Sequence, residues 1–411
     1  MRTVLGGLWT FLLLVLSIRG EGNGRGKRHH RRKGGDGDKA LQPQQQQQQD
    51  QDGDGGSDPA AQGPQHRRRI AVLWTFNREL PATFELSLAT LVNAGADMVD
   101  VHVLAPDIPE IYVNGSNPHY SSMQRVFFHT ITAQDWRKRV NASLGIELPY
   151  DLGKTHRKTA DLKPMMGLLF QDLIPEAEYA FWVYGDSDGL FGSYNRLLDP
   201  AVLPYYDVVS GFPVPTGSVQ VLAGRPLRCT GAWTLWRNSP RINNLFRRAI
   251  NWRSMVLHGD LVYAFDEHSR PMQAGEEDMH MVLESSSDVR QCCLSSSQPH
   301  AKLGANTAFL AEMTARFLEV ENGSVTIGWR RGQGVTVTVE GLFGFGEAYK
   351  REAVEPLFLH FLEWKYSAGA ELNAALSAVL ARLKSEGKSP FDMDCLEVVG
   401  TFRRKISARL C

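Results

Sequence analysis

The sequence predicts an α/β protein with a mainly parallel sheet flanked by helices, closed at its C-terminal end by a β-hairpin and a helix. Three observations carry that expectation. From Ile70 onward, short apolar runs alternate with stretches of helical period, the pattern of strand–helix–strand units. The run from Tyr179 to Tyr184 is mostly apolar on consecutive positions, as a strand buried on both faces must be. Near the C-terminus, two alternating runs flank Arg330-Arg-Gly-Gln-Gly334, the signature of a hairpin.

The elements follow in order. Ile70–Phe76 reads as the first strand and ends at Asn77. Phe84–Ala94 has helical spacing through Phe84, Leu88, Leu91 and Val92 and stops at Asn93-Ala-Gly95. Met98–Leu104 and Val126–Ile131 are further strands, and Asp135–Leu144 is a short helix. Ala160–Leu173 is expected as a helix with Pro164 in its first turn. After the strand that ends at Asp186 come short strands at Tyr206–Ser210 and Trp233–Trp236. A helix is expected over Pro240–Asn251, capped by Ser239 and carrying Arg247 and Arg248 outward. The hairpin pairs Ser324–Trp329 with Val335–Val339, and Glu371–Lys384 is an amphipathic helix.

The chain has 411 residues, no formal net charge and an apolar fraction of 43%, enough for one large folded unit with tails. Nothing in that balance suggests a nucleic-acid binder. Residues 1–19 read as a signal peptide or signal anchor: Arg2 and Arg19 bracket a hydrophobic stretch from Val4 to Ile18. Its length suits a cleaved peptide and falls short of a typical span, and both alternatives stay open. Residues 20–69 hold a basic cluster with His29 and His30, a polyglutamine run from Gln44 to Gln49 and an Asp/Gly stretch, so a disordered stem is expected. The main folded domain is expected over 70–370 and a helical extension over 371–411. A secretory address, Golgi or endoplasmic-reticulum lumen, follows, either membrane-anchored or secreted. Sequons at Asn114, Asn141 and Asn322 would then be glycan acceptors, and five cysteines would leave at least one thiol without an intramolecular partner.

The chemistry centres on Asp186-Ser-Asp188. Two carboxylates one residue apart can hold a divalent cation, and a cation can hold phosphates. The spacing alone means little, since Asp36/Asp38, Asp50/Asp52, Asp52/Asp54 and Asp392/Asp394 share it. Only the Asp186 copy follows a strand, and the C-terminal ends of strands are where open α/β sheets bind ligands. Neither Gly-x-Gly-x-x-Gly nor a Walker loop is present, so phosphates would be held through a metal and basic side chains.

Asp161-Leu-Lys-Pro164, followed by Tyr179-Ala-Phe-Trp-Val-Tyr-Gly-Asp-Ser-Asp188-Gly-Leu-Phe-Gly192, resembles a group of glycosyltransferase-like proteins whose microbial members are associated with capsule and surface polysaccharides. That group carries "DFKP" and "DFWGYCDLDLIFG" blocks. Gly231–Asn238, Ile242–Phe246, Tyr263–His268 and Phe358–Lys365 resemble its further blocks in the same order. The resemblance implies a GT-A-like, Rossmann-type fold binding a nucleotide sugar through Mn²⁺ or Mg²⁺. It places Asp186 and Asp188 on the metal, with His360 completing the coordination or touching the diphosphate and Lys365 assisting it; read on its own, His360 in an apolar run is equally a core histidine. Asp188 is the more direct ligand in that pattern, and Asp186 reaches ribose or acts through water.

Other assignments keep two readings. Lys163 and Asp161 contact diphosphate and sugar, or they are a surface lysine and a helix cap. Trp74, Thr75 and Phe76 cradle the nucleotide at the end of the first strand, or Trp74 and Phe76 are core. The resemblance also implies that Asp266 and Glu267 face the acceptor, where either could serve as the base of an inverting transfer, with Glu276-Glu277-Asp278 as rival or as a charged helix start. The family's aromatic-Cys before the acids is reduced here, and Ser187 and Gly189 replace larger residues. The expected activity is metal-dependent transfer from a nucleotide sugar to a glycan or glycoprotein hydroxyl. The alternatives are a sugar nucleotidyltransferase and a non-catalytic carbohydrate-binding protein.

Overall fold

The computed structural model describes residues 69–77, 79–81, 83–95, 98–113, 125–154, 156–194, 198, 203–210, 233–259, 265, 277–293, 310–312, 321–342, 353–354, 358–360, 362–401 and 406–411. The expected targeting segment lies outside them, as do Asp266, Glu267, Glu276 and all of the expected stem except Arg69, which begins the first strand. No helix among the described residues is long and apolar enough to cross a membrane.

The strands are β1 Arg69–Thr75, β2 Val99–Ala105, β3 Val126–Thr130, β4 Tyr179–Gly185, β5 Gly189–Phe191, β6 Val208–Ser210, β7 Trp233–Arg237, β8 Gln291–Cys293, β9 Leu310–Glu312, β10 Glu321–Arg330, β11 Gly334–Leu342, β12 Ala353–Val354, β13 Phe358–His360, β14 Cys395–Thr401 and β15 Ile406–Arg409. The helices are α1 Phe84–Gly95, α2 Glu110–Val113, α3 Ala133–Leu144, α4 Met166–Leu169, α5 Pro240–Asn243, α6 Trp252–Leu257, α7 Met279–Ser285 and α8 Leu362–Ser385.

The main sheet has the order β3-β2-β1-β4-β7-β6-β8. Its β3, β2, β1 and β4 run parallel, β7 is antiparallel to β4 and β6, and β6 and β8 are parallel. This is the mainly parallel α/β sheet the alternating pattern predicts. The consecutive apolar residues of β1 and β4 divide between the two faces. Ala71, Leu73, Trp182 and Tyr184 join one core cluster; Ile70, Val72, Trp74, Phe181 and Val183 join the other. Burial on both faces explains why the strands read as continuous runs.

From β1 the chain moves outward to β2 and β3, then returns to place β4 on the other side of β1. The C-terminal ends of β1 and β4 therefore flank a topological switch point, where connections diverge and leave a crevice.

Two expected helices take other forms. His156–Met165 is a 3₁₀ helix, and only Met166–Leu169 continues as α-helix. Pro164 lies near the end of the 3₁₀ segment and donates no backbone hydrogen bond. The segment is instead held by side chains, described below. The stretch expected as one helix over Pro240–Asn251 breaks into α5 and a 3₁₀ turn at Leu245–Arg248, with α6 beginning only at Trp252. Ser239 does cap α5, accepting from the Ile242 amide. Arg248 turns to Asp288 in a bidentate pair.

The expected hairpin forms from β10 and β11, with Trp329 opposite Val335. It belongs to a five-stranded sheet, β12-β11-β10-β14-β15. Thus the region expected as a helical extension also contributes β14 and β15, whose alternation of Leu396 and Val398 inward is short and easily missed. Leu372, Leu376, Val379 and Leu383 of α8 recur at helical spacing and pack into the same core as Ile327, Trp329 and Leu396. Cys395 and Cys411 form a disulfide with Cα atoms 5.6 Å apart.

Candidate active site

At the switch point, β4 delivers Asp186 and Asp188 directly past its C-terminal end, and both are half-buried. The 3₁₀ segment lies against the same sheet face and brings Lys163 to them. Lys163 Nζ donates to Asp186 Oδ1 at 3.2 Å and stands 5.7 Å from the centroid of the Tyr184 ring. Asn77, at the end of β1, donates through Nδ2 to Thr159 Oγ1 at 3.1 Å, fixing the first strand's end to the same segment. Residues from β1, the 3₁₀ segment and β4 thus converge on one crevice.

The backbone after Asp188 is clamped on two sides. Ser87 of α1 donates from Oγ to the Gly189 carbonyl at 2.8 Å and receives the Gly189 amide at 3.4 Å. Thr90 Oγ1 receives the Phe191 amide at 3.3 Å. Both hydroxyl residues are buried, so these bonds act where water cannot replace them. On the other side β13 pairs antiparallel with β5, setting His360 opposite Gly189. Sequence distance concealed this proximity of His360 to the acid pair; a three-residue strand gives almost no periodic signal. Lys365 lies early in α8.

Trp74 is fully buried, packed against Phe84 and Phe191, and so is a core residue; Thr75 and Phe76 are partly exposed, with Phe76 edge-on to Phe84. Asp161 is fully buried. Its Oδ2 accepts from Lys158 Nζ at 3.0 Å, and its Oδ1 accepts from the Phe265 amide at 2.8 Å. Lys158 is fully buried as well and also donates to the Met255 carbonyl. Lys158 was not legible as important: an i,i+3 Lys–Asp pair ordinarily reads as a solvated surface pair. Near this pair, burial first, then the Asp161 charge, pushes the Tyr150 hydroxyl well above its usual range. Tyr150 donates to the Val256 carbonyl at 2.6 Å.

The rival acid run resolves as structure where it is described. Asp278 caps α7, accepting from the Met281 amide at 2.8 Å, and Glu277 accepts from the Ile250 amide at 2.9 Å.

The donor set at the crevice is two carboxylates, hard oxygen ligands of the kind that Mg²⁺ and Mn²⁺ prefer. Among the described residues no group of three or more His, Cys, Asp or Glu side chains converges as a complete metal cage. Two carboxylates alone would leave a cation's remaining ligands to water or to a phosphate-bearing molecule.

The fold and the crevice define an α/β protein with an acidic, lysine-flanked site at a sheet switch point. The chain belongs to a family of unknown function, DUF6625, which matches residues 111–366. No curated protein matches the sequence significantly. Among solved structures, the apo form of glycosyltransferase GlyE from Streptococcus pneumoniae TIGR4 overlaps with a TM-score of 0.30 at 11% identity, over 56% of this chain and 45% of that one. The galactosyltransferase LgtC, in complex with donor and acceptor sugar analogues, overlaps at 0.27 and 13% identity, over 46% and 69%. Mouse xyloside xylosyltransferase 1 overlaps at 0.27 and 8% identity, over 46% and 71%. This chain thus spans less than half the length of GlyE. Likeness at this level assigns it neither residue roles nor a substrate.

Proposed function

We propose that this chain is a metal-dependent glycosyltransferase of GT-A type, moving a sugar from a nucleotide-sugar donor to a hydroxyl of a glycan or protein. The observation that supports it best is the gathering of Lys163, Asp186 and Asp188 at the C-terminal ends of β1 and β4. A nucleoside diphosphate in that crevice would face one ammonium and two carboxylates. The carboxylates would repel it unless a divalent cation lay between, so this trio is a diphosphate site only with a metal. Asp188 and Asp186 would hold Mn²⁺ or Mg²⁺, with His360 as a further ligand. When bound, the cation supplies stabilisation of the negative charge on the departing nucleoside diphosphate.

The remaining roles belong to the chain's own groups. Lys163 attracts a diphosphate oxygen as a point charge, with Asp186 orienting its ammonium. Thr75 and Phe76 border the nucleotide, and buried Trp74 forms the wall behind them. Lys365 adds a second cation on the diphosphate side. Asp266 or Glu267 removes the acceptor proton if transfer proceeds with inversion. Residence in the lumen of the Golgi or endoplasmic reticulum fits the N-terminal segment, and the Cys395–Cys411 disulfide suits an oxidising compartment.

The test is hydrolysis or transfer by the full chain with a panel of nucleotide sugars, with and without Mn²⁺. Metal-dependent turnover that collapses in Asp188→Asn is expected. Absence of both turnover and metal-dependent nucleotide binding would refute the reading, and full activity in Asp188→Asn would refute the metal assignment alone.

A further inference from the structure

We infer that Asp161 is a positioning residue that latches Phe265, with Lys158 as its buried counter-ion, and that it binds neither sugar nor nucleotide. The catalytic part of this inference rests on the glycosyltransferase reading above; the latch itself does not. Phe265 is fully buried, and its backbone is gripped from both sides. Its amide donates to Asp161 Oδ1 at 2.8 Å, and its carbonyl accepts from the Met279 amide at 3.1 Å. A backbone position fixed in this way cannot slide without breaking a charge-assisted bond between buried groups.

The latch joins segments far apart in sequence. Lys158 and Asp161 lie in the 3₁₀ helix, Met255 in α6 and Met279 at the start of α7. The same 3₁₀ helix carries Lys163, two residues beyond Asp161, to the acid pair at Asp186. In the sequence Phe265 directly precedes Asp266 and Glu267. One buried carboxylate therefore ties the segment bearing Lys163 to the residue that immediately precedes Asp266 and Glu267 in the sequence. The positive charge of Lys158 makes the arrangement affordable: an isolated carboxylate at this depth would protonate instead.

The experiment compares two charge-balanced double variants with the native full chain by hydrogen exchange and kinetics. Lys158→Met with Asp161→Asn removes both charges but keeps an oxygen to accept from the Phe265 amide. Lys158→Met with Asp161→Leu removes both charges and the acceptor. Both lose the bond to the Met255 carbonyl equally, so their difference isolates the latch. In the native protein the Phe265 amide is expected among the slowly exchanging class. It should exchange about tenfold faster or more in the Leu double, and clearly less so in the Asn double. With an active nucleotide sugar, the Leu double should lose kcat relative to the Asn double, with the donor KM unchanged.

Equal exchange at Phe265 in the two doubles, or loop-like exchange in the native chain, would overturn the latch. A split in exchange without a split in kcat would overturn its positioning role. A native chain that turns over no nucleotide sugar would refute the catalytic part together with the glycosyltransferase reading, while the exchange comparison would still decide the latch.

Discussion

His360 lies opposite Gly189 in the pairing of β13 with β5, one residue beyond Asp188. The backbone of His360 is thereby paired with the residue that follows Asp188, although 171 positions (360 minus 189) separate the two partners in sequence. If His360 completes the cation site, His360→Ala should weaken Mn²⁺ binding about tenfold or more, since loss of one neutral nitrogen donor removes a metal bond without adding charge. Titration of Mn²⁺ monitored by its free-ion paramagnetic signal measures this directly. A His360→Ala protein that binds Mn²⁺ as the native chain does would remove His360 from the site.

Ser87 makes a prediction about stability and position together. Its hydroxyl sits between the carbonyl and amide of Gly189, inside the protein. Ser87→Ala leaves these groups without that partner and should cost about 1–2 kcal/mol, read as a lower urea midpoint at unchanged slope. Thr90→Val, which keeps the shape at the next clamp and removes only the hydroxyl, should cost a similar amount. If neither substitution moves the midpoint, the clamp does not hold β5.

The parts of this fold that were legible in the sequence are those whose burial writes a period into it. β1 and β4 are covered on both faces and so appear as unbroken apolar runs; the β10–β11 hairpin and α8 show clear alternation and helical spacing. The acid pair was legible because it follows such a run. What lay hidden depends on tertiary contacts between short pieces. β13 is too brief to carry a period, so its approach to Asp188 could be reached only through family resemblance. Ala160–Leu173 reads as an α-helix, but residues 156–165 form a 3₁₀ helix and only Met166–Leu169 an α-helix; Lys158 and Asp161 turn inward to the Met255 carbonyl and the Phe265 amide. A lysine in a polar stretch gives no sign that it will be fully enclosed.

Gly167 is required by close approach, not by backbone conformation. A Cβ placed there would lie 2.3 Å from Trp182 Nε1 and 2.5 Å from Asn243 Oδ1. Those two atoms are themselves hydrogen-bonded at 2.8 Å, joining β4 to α5. Gly167→Ala must therefore break that bond or push α4 off the sheet, and neither neighbour is a flexible chain end. A cost of about 3 kcal/mol or more is expected, larger than ordinary overpacking because a buried polar pair is separated as well. Thermal unfolding of Gly167→Ala should show a drop of several degrees; a shift within the error of the measurement would contradict the packing described.

Acidification should expose a second weak point, away from the acid pair. His102 on β2 is buried, and desolvation, then the neighbouring His129, pushes its pKa down from 6.5 to about 3. The hydrogen bonds explain how it stays neutral. Tyr179 donates its hydroxyl proton to Asp100 Oδ2 at 3.0 Å, so His102 Nε2–H faces the Tyr179 oxygen at 3.3 Å as donor. Its Nδ1 is then the acceptor toward His129 Nε2 at 3.1 Å. Arg69 also bonds Asp100, and Arg139 and Asp172 act on His129, so the surrounding charges are largely paired. The folded pKa lies below the unfolded one. The unfolded chain therefore binds a proton first, and stability falls as pH drops from about 6.5 toward 3. Between pH 7 and 5 the loss from His102 alone is about 2 kcal/mol. Urea unfolding at both pH values should show it in the native protein. His102→Phe, an aromatic that does not titrate, should be less stable at pH 7 but lose roughly 2 kcal/mol less on going to pH 5. An equal loss in the two proteins would show that His102 is not the group that takes up the proton.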